Sequence, residues 1–280
     1  MSGFISVIEI EKKTVYWSFD IGSDIELLEW HPGCNVLFSG TSDGYLYMFK
    51  LSTSEIKTMC NGDSQSKVTC FKVLSDGKRA VSTYSTGQVI IWDLKTQQML
   101  FNCKSNKDST GEILCMDVSA DGNLLAYGGV DLKLTILNIN NGKIIETYDC
   151  NYSEKKAETD GEEVPNSIES VGFCKVLPLL ACVTVYGEIL IWDINSSILR
   201  HKSINEYKCG FSKLVWNQDY KLFISALSGQ ILEFDGRNLE LKAKYEGHEA
   251  EILDFCLSKD FKYLFTASDD RKIKVFQINQ

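Results

Sequence analysis

The 280-residue chain says nearly the same thing six times. A turn containing Gly or Asp, followed by an alternating strand, recurs at Asp43-Gly44, Gly87, Asp131, Gly187, Gly229 and Asp270. The spacing is roughly 40–45 residues, with one interval stretched to roughly 56. Two copies end on the same dipeptide, in Val89-Ile90-Ile91-Trp92-Asp93 and Ile189-Leu190-Ile191-Trp192-Asp193. A unit of this length cannot bury its apolar face alone, so neighbouring units must stack into a continuous core. The expected fold is all-β, a β-propeller with six recognisable blades and a partial blade at the N-terminus.

Each unit predicts strands a, b and c from the centre outward, then d at the rim. The first reads Ile25–Trp30, Val36–Gly40 and Tyr45–Leu51, with clear alternation in Tyr45-Leu46-Tyr47-Met48-Phe49. The second reads Val68–Val73, Arg79–Tyr84 and Gln88–Leu94, the third Ile113–Val118, Leu124–Gly128 and Leu132–Ile139. The fourth reads Ile168–Phe173, Leu179–Thr184 and Glu188–Ile194, the fifth Phe211–Trp216, Leu222–Ala226 and Gln230–Asp235. The sixth reads Ile252–Leu257, Tyr263–Ser268 and Lys272–Ile278. Asp76-Gly77 and Asp121-Gly122 are a–b turns, because Gly takes the positive φ such turns need. Pro32, Pro165 and Pro178 all fall in connections, where a missing amide donor does no harm.

The repeat boundaries follow: a partial blade over 1–19, then units over about 20–59, 60–102, 103–149, 166–204, 205–245 and 246–280, in one domain. Residues 150–165 break the period. The stretch Asn151–Asn166 is polar, charged and without an apolar stripe, so it is expected to be a mobile surface loop. Such an insertion is cheap, since doubling a loop costs only about 0.6 kcal/mol.

The ends pose a question. The chain finishes on a c strand and begins with Phe4–Ile10 and Thr14–Phe19, which resemble a c strand and a d strand. Thr14–Phe19 would close a ring as its missing rim strand and leave Phe4–Ile10 over. The preferred reading is that both belong to a truncated blade, with an open edge left at the end of the array.

No apolar run approaches the roughly 20 residues that span a bilayer, and Met1–Glu9 is too short and polar for a signal peptide. The ten cysteines include Cys70, Cys115, Cys174 and Cys256 at one recurrent point of strand a, where they read as small buried apolar residues. No pair has CxxC spacing and there are three histidines, so no metal site and no cofactor is expected. These features point to a reducing compartment, cytosol or nucleus. A net charge of -9 disfavours direct binding of nucleic acid and permits a basic protein partner. Oligomeric state is not legible.

The sixth unit keeps the fullest polar signature. Gly247-His248 precedes strand a, Thr266 and Ser268 lie on b, and Asp270 occupies the b–c turn. In WD-repeat proteins His, Ser/Thr, Asp and Trp link into a hydrogen-bond chain across a blade. Here Phe276 stands where Trp would, so the chain is expected to be incomplete and His248 structural. Trp92, Asp93, Trp192 and Asp193 are read as blade residues in the same way. No nucleophile–base set is visible, so no catalytic residue is assigned and an enzyme is not expected.

The chain resembles the angio-associated migratory cell protein family of WD-repeat proteins. The resemblance rests on Trp17-Ser18-Phe19, Leu28-Glu29-Trp30-His31-Pro32, Asp76-Gly77-Lys78-Arg79-Ala80-Val81 and Ile91-Trp92-Asp93-Leu94-Lys95. It rests most specifically on Ser167–Cys174 and Ala250–Asp260, which are unlike the general repeat. Family members are longer at the N-terminus, by roughly two blades on the repeat argument. The resemblance implies either of two roles. Animal members are linked to cell migration and angiogenic signalling, and a fungal relative chaperones a newly made, basic protein of the large ribosomal subunit.

The first expectation is therefore a non-catalytic scaffold whose acidic top face captures a basic segment, such as a ribosomal protein. The d–a and b–c connections converge there. They supply the candidate partner-binding residues Asp24, Asp43, Glu112, Asp131, Glu169, Glu249, Glu251 and Asp269, with Asp20, Asp108 and Asp270 nearby. Asp43, Asp131 and Asp270 double as turn or blade-motif residues. The alternative is a signalling adaptor that uses the rim or the Asn151–Asn166 segment.

Overall fold

The structure is a computed structural model and describes residues 3–59, 66–104, 111–152, 157–159, 162–204 and 206–278. Every regular element among them is a strand. Two compact units emerge, one over 1–113 with 139–143, the other over 114–138 with 144–280.

The first unit opens with a hairpin of β1 (Phe4–Glu9) and β2 (Thr14–Asp20), which pair only with each other. The first four-stranded sheet is β3 (Ile25–Trp30), β4 (Val36–Thr41), β5 (Leu46–Lys50) and β6 (Glu55–Met59). The second is β7 (Val68–Val73), β8 (Arg79–Tyr84), β9 (Gln88–Asp93) and β10 (Gln98–Lys104). All are antiparallel meanders.

The second unit holds almost all of the third sheet, β11 (Ile113–Val118), β12 (Leu124–Gly129), β13 (Lys133–Asn138) and β14 (Lys143–Asp149). A two-stranded sheet of β15 (Ala157–Thr159) and β16 (Glu162–Val164) follows. The fourth sheet is β17 (Ile168–Phe173), β18 (Leu179–Thr184), β19 (Glu188–Asp193) and β20 (Ile198–Ile204). The fifth is β21 (Phe211–Trp216), β22 (Lys221–Ala226), β23 (Gln230–Asp235) and β24 (Glu240–Tyr245). The sixth has three strands, β25 (Ile252–Leu257), β26 (Tyr263–Ser268) and β27 (Ile273–Gln277).

The expected a, b and c strands are present, with ends moved by a residue or two. Three expectations need correction. The Asn151–Asn166 stretch is not irregular throughout: Ala157–Thr159 pairs with Glu162–Val164, and 153–156 and 160–161 lie outside the described residues. Thr14–Asp20 is the partner of Phe4–Glu9, as in the truncated-blade reading, and not a rim strand of another sheet. Finally, the four strand-a cysteines do not share one environment. Cys115 and Cys174 are buried, Cys70 is half-buried and Cys256 is exposed.

Strands b and c of the middle sheets are buried along their length because sheets cover both faces. That is why Leu179-Leu180-Ala181-Cys182-Val183-Thr184 reads as a continuous apolar run and not as an alternation. In the first unit Phe38 meets Phe71 at 5.0 Å between ring centroids, joining the first sheet to the second. The hairpin covers the other side of the first sheet with Trp17 and Phe19, whose rings lie 5.2 and 5.7 Å from that of Phe49. In the second unit Trp192 stacks on Tyr148 at 5.1 Å across the third and fourth sheets. The fourth and fifth sheets approach closely at Gly172. A Cβ there would lie 2.6 Å from Leu214, and Trp216 Nε1 donates to the Gly172 carbonyl at 2.9 Å. Each fully buried side chain of this size contributes about 1.5–3 kcal/mol.

Candidate protein-binding face

The a–b and c–d turns at one end of each sheet are closed by carboxylates. Asp76 accepts from the amides of Lys78 and Arg79 at 2.8 and 3.1 Å. Asp93 accepts from Thr96 N at 2.8 Å and Asp193 from Asn195 N at 3.0 Å. The Asp of the repeated dipeptide is thus a turn residue. The Trp works inside the sheet: Trp92 Nε1 donates to the buried Ser82 Oγ at 2.8 Å.

The sixth sheet carries the other half of that polar chain. His248 Nδ1 is 2.9 Å from Asp270 Oδ2, and its Nε2 is 2.7 Å from Thr266 Oγ1. Asp270 also accepts from the amides of Glu249 and Lys272 at 3.2 and 2.9 Å, while its own amide donates to Ser268 Oγ at 3.1 Å. Burial alone would raise the Asp270 pKa. The bonds from His248 and the two amides, with the His248 charge, overcome it and hold the carboxyl at about 2. Thr266 and Lys274 pair opposite each other as Ser82 and Ile90 do, and Phe276 occupies the register of Trp92. The geometry has the order of a Thr-His-Asp relay. Thr266 is only 1% exposed, so no substrate carbonyl reaches its hydroxyl.

The opposite end of the sheets holds the candidate acidic residues. In five of the six a strands the register shifts at the second residue, which leaves Glu26, Thr69, Glu169, Ser212 and Leu253 unpaired. A bulge of this kind re-aims the side chain it carries. Thr69 and Ser212 tie back to Thr83 and Ser225, each at 2.9 Å. Glu26 pairs with Lys67 at 3.1 Å, and Glu169 accepts from Ser167 Oγ. Leu253 stands 63% exposed. Burial raises the Glu169 pKa, and the neighbouring Glu251 charge raises it further against the Ser167 bond.

The predicted residues divide. Glu169 and Glu251 lie within electrostatic reach of each other in the second unit. Asp43 is held by Thr41 Oγ1, and Asp131 accepts from Lys133 N at 3.1 Å, so both serve their own b–c turns. Glu249 pairs with Lys272 at 3.5 Å. Asp24 and Asp269 are exposed, Glu112 is half-buried beside Cys70, and Asp108 lies outside the described residues. Sequence reasoning passed over Glu26 and Leu253. Their signal was positional: both follow the first residue of strand a, as Glu169 does. It also passed over Glu188, which is buried and accepts from Asn166 Nδ2 and Thr184 Oγ1, each at 2.9 Å. That bond pins the connection entering the fourth sheet. Among the described residues no group of three or more His, Cys, Asp or Glu is disposed to hold a metal, and no helix is long and apolar enough to cross a membrane.

Sheet architecture and repeat together define the class: the chain belongs to the WD-repeat β-propeller proteins. The model of the WD domain, G-beta repeat, matches residues 239–277, and that of the Anaphase-promoting complex subunit 4 WD40 domain matches residues 28–120. Within the class it is a homologue of the Angio-associated migratory cell protein of Homo sapiens, 35% identical over 283 residues covering 100% of this chain. It spans 64% of that relative's length. It is also 25% identical to the Ribosome assembly protein SQT1 of Saccharomyces cerevisiae, over 99% of this chain and 70% of that protein. The crystal structure of Saccharomyces cerevisiae Sqt1 superposes with a TM-score of 0.85 at 22% identity, covering 100% of this chain and 80% of that one. A chain of the Mitotic Checkpoint Complex superposes at 0.79 with 16% identity, covering 100% and 82%.

Proposed function

We propose that this chain is a non-catalytic scaffold that captures a basic protein segment at the end of its sheets formed by the d–a and b–c connections. The observation that carries the reading is the bulged Glu169 beside Glu251. Burial and a like charge make the ionised Glu169 costly, and a lysine or arginine brought to it relieves both. Exposed Leu253, two residues beyond Glu251, offers an apolar contact for the stem of such a side chain. Single exposed pairs contribute only about 0–1 kcal/mol, so Asp24, Glu112, Asp269 and their neighbours are expected to act together and to speed encounter. The likeness to a ribosome assembly protein supports a ribosomal protein as the basic partner, met in the cytosol or nucleus. On this reading the one-domain propeller, with units at the boundaries given above, is the frame for the face.

The test is recovery of partners from lysate by the intact chain and by a Glu169→Gln/Glu251→Lys variant, followed by binding of the recovered partner across a salt series. A basic ribosomal protein whose binding weakens steeply with salt, and by tenfold or more in the variant, supports the proposal. Recovery of kinases or receptor tails, insensitive to salt and to the variant, overturns it in favour of a signalling adaptor working through the rim.

A further inference from the structure

The large exposed hydrophobic side chains are not scattered evenly. Twelve of the twenty among the described residues lie on the hairpin with β3, or on the sixth sheet. On the sixth sheet they share one face. Phe265 pairs opposite Val275, Tyr263 opposite Gln277 and Ala267 opposite Ile273, with Ile273 at 78% exposed. The other face, with Phe255, Leu264 and Phe276, is packed on the fifth sheet. In the first unit, Ile5, Val7, Trp17 and Phe19 of the hairpin face the first sheet, while Phe4, Ile8 and Tyr16 point away from it. The hairpin has only two strands, so Leu28 and Trp30 on β3 are each left 51% exposed.

We propose that the outward face of the sixth sheet binds the outward face of the N-terminal hairpin of a second copy of this chain, head to tail. Three observations argue for a second copy. The faces are opposite in sense. Within each unit every sheet packs one side on the sheet before it and the other on the sheet after it. The sixth sheet offers an unused following side, and the hairpin an unused preceding side. A head-to-tail contact between copies therefore repeats the sheet-on-sheet packing already used inside the chain. The strands are complementary too. β27 ends its sheet with a free edge, a ready template for pairing, and the hairpin brings two strands to it. Charge also favours the match. Residues 3–30 hold six carboxylates and two lysines. Residues 252–278 hold five Lys or Arg against four Asp, and two of these, Asp254 and Asp270, are engaged by Lys213 and His248. The contact uses no residue of Glu169, Glu251 or Leu253, so it is separate from the proposed capture of a basic segment. Being heterologous, it extends beyond a dimer unless its rotation closes a ring.

The test is sedimentation of the intact chain between about 1 and about 100 µM, where mass action should raise the average mass at least twofold above the monomer. Two variants block one face each, Ile8→Lys/Tyr16→Lys and Ile273→Lys/Val275→Lys. Each alone should remain monomeric with an unchanged far-ultraviolet spectrum, since all four side chains are exposed. Mixed, they retain one good face apiece and should form a dimer that grows no further. A wild-type chain that stays monomeric overturns the proposal. So does a closed dimer that the mixture of variants fails to restore.

Discussion

The fourth and sixth sheets are built from the same repeat and differ in what surrounds them. In the fourth, Leu179–Thr184 is buried at all six positions. In the sixth, the equivalent Tyr263–Ser268 alternates, with Tyr263 and Phe265 exposed. The residues of β26 are no more polar, so the difference comes from coverage. The fourth sheet has packed neighbours on both sides, and the sixth has one on a single side. The sixth sheet offsets this with hydrogen bonds that the fourth lacks. Where His248, Thr266 and Asp270 form a relay, the fourth sheet places Cys182, whose thiol is 3.9 Å from that of Cys150 in an apolar setting. Burial pushes the Cys182 thiol well above its ordinary pKa and keeps it protonated, as a small hydrophobe would require. A sheet covered twice is held by packing; a sheet covered once leans on a polar relay.

The comparison breaks most visibly at Trp192. Trp192→Ala removes a ring stacked between two sheets and is expected to cost about 3–5 kcal/mol in urea unfolding. A cost below that of any sixth-sheet variant would contradict the claim that packing dominates the fourth sheet. Next in size is Thr266→Val, which leaves His248 Nε2 buried without its partner and is expected to cost about 1–3 kcal/mol. Cys182→Ser, at the matching position of the fourth sheet, buries a hydroxyl among apolar neighbours and should be destabilising, by roughly 1–3 kcal/mol. If serine is instead stabilising there, the setting is not the apolar one described.

Acid should sharpen the contrast. The folded pKa of Asp270 is depressed, to about 2 from 3.8, so its contribution is present above pH 3.8 and is lost as pH falls toward about 2. Hydrogen exchange should show the sixth sheet opening in that window, and Asp270→Asn should flatten the dependence. Asp235, held at about 2 chiefly by the side chain of Arg237, brings part of the same loss to the fifth sheet. The smallest effect is expected at Val275→Thr, on the uncovered face, within about 0.5 kcal/mol. A larger loss in dilute monomer would mean that the face is already covered within the chain.

The strands were legible because turn chemistry and side-chain alternation are local. Asp76-Gly77 announces its turn through one carboxylate and one positive φ, and neither depends on a distant residue. The sixth-sheet relay was legible for a related reason, since His248, Thr266 and Asp270 sit at fixed offsets within one repeat. The candidate face was legible only as a set of connections rich in Asp and Glu. Which carboxylates close turns, as Asp43 and Asp131 do, depends on hydrogen bonds that a spacing does not specify. That Glu169 feels Glu251 is a contact between residues 82 positions apart in the sequence. The bulges that free Glu26, Glu169 and Leu253 arise from register between strands, which period-two alternation does not encode. The exposure of Cys256, Phe265 and Ile273 is decided later still. A side chain is buried only when another sheet is present to cover it, and no repeat contains the information that its neighbour is missing.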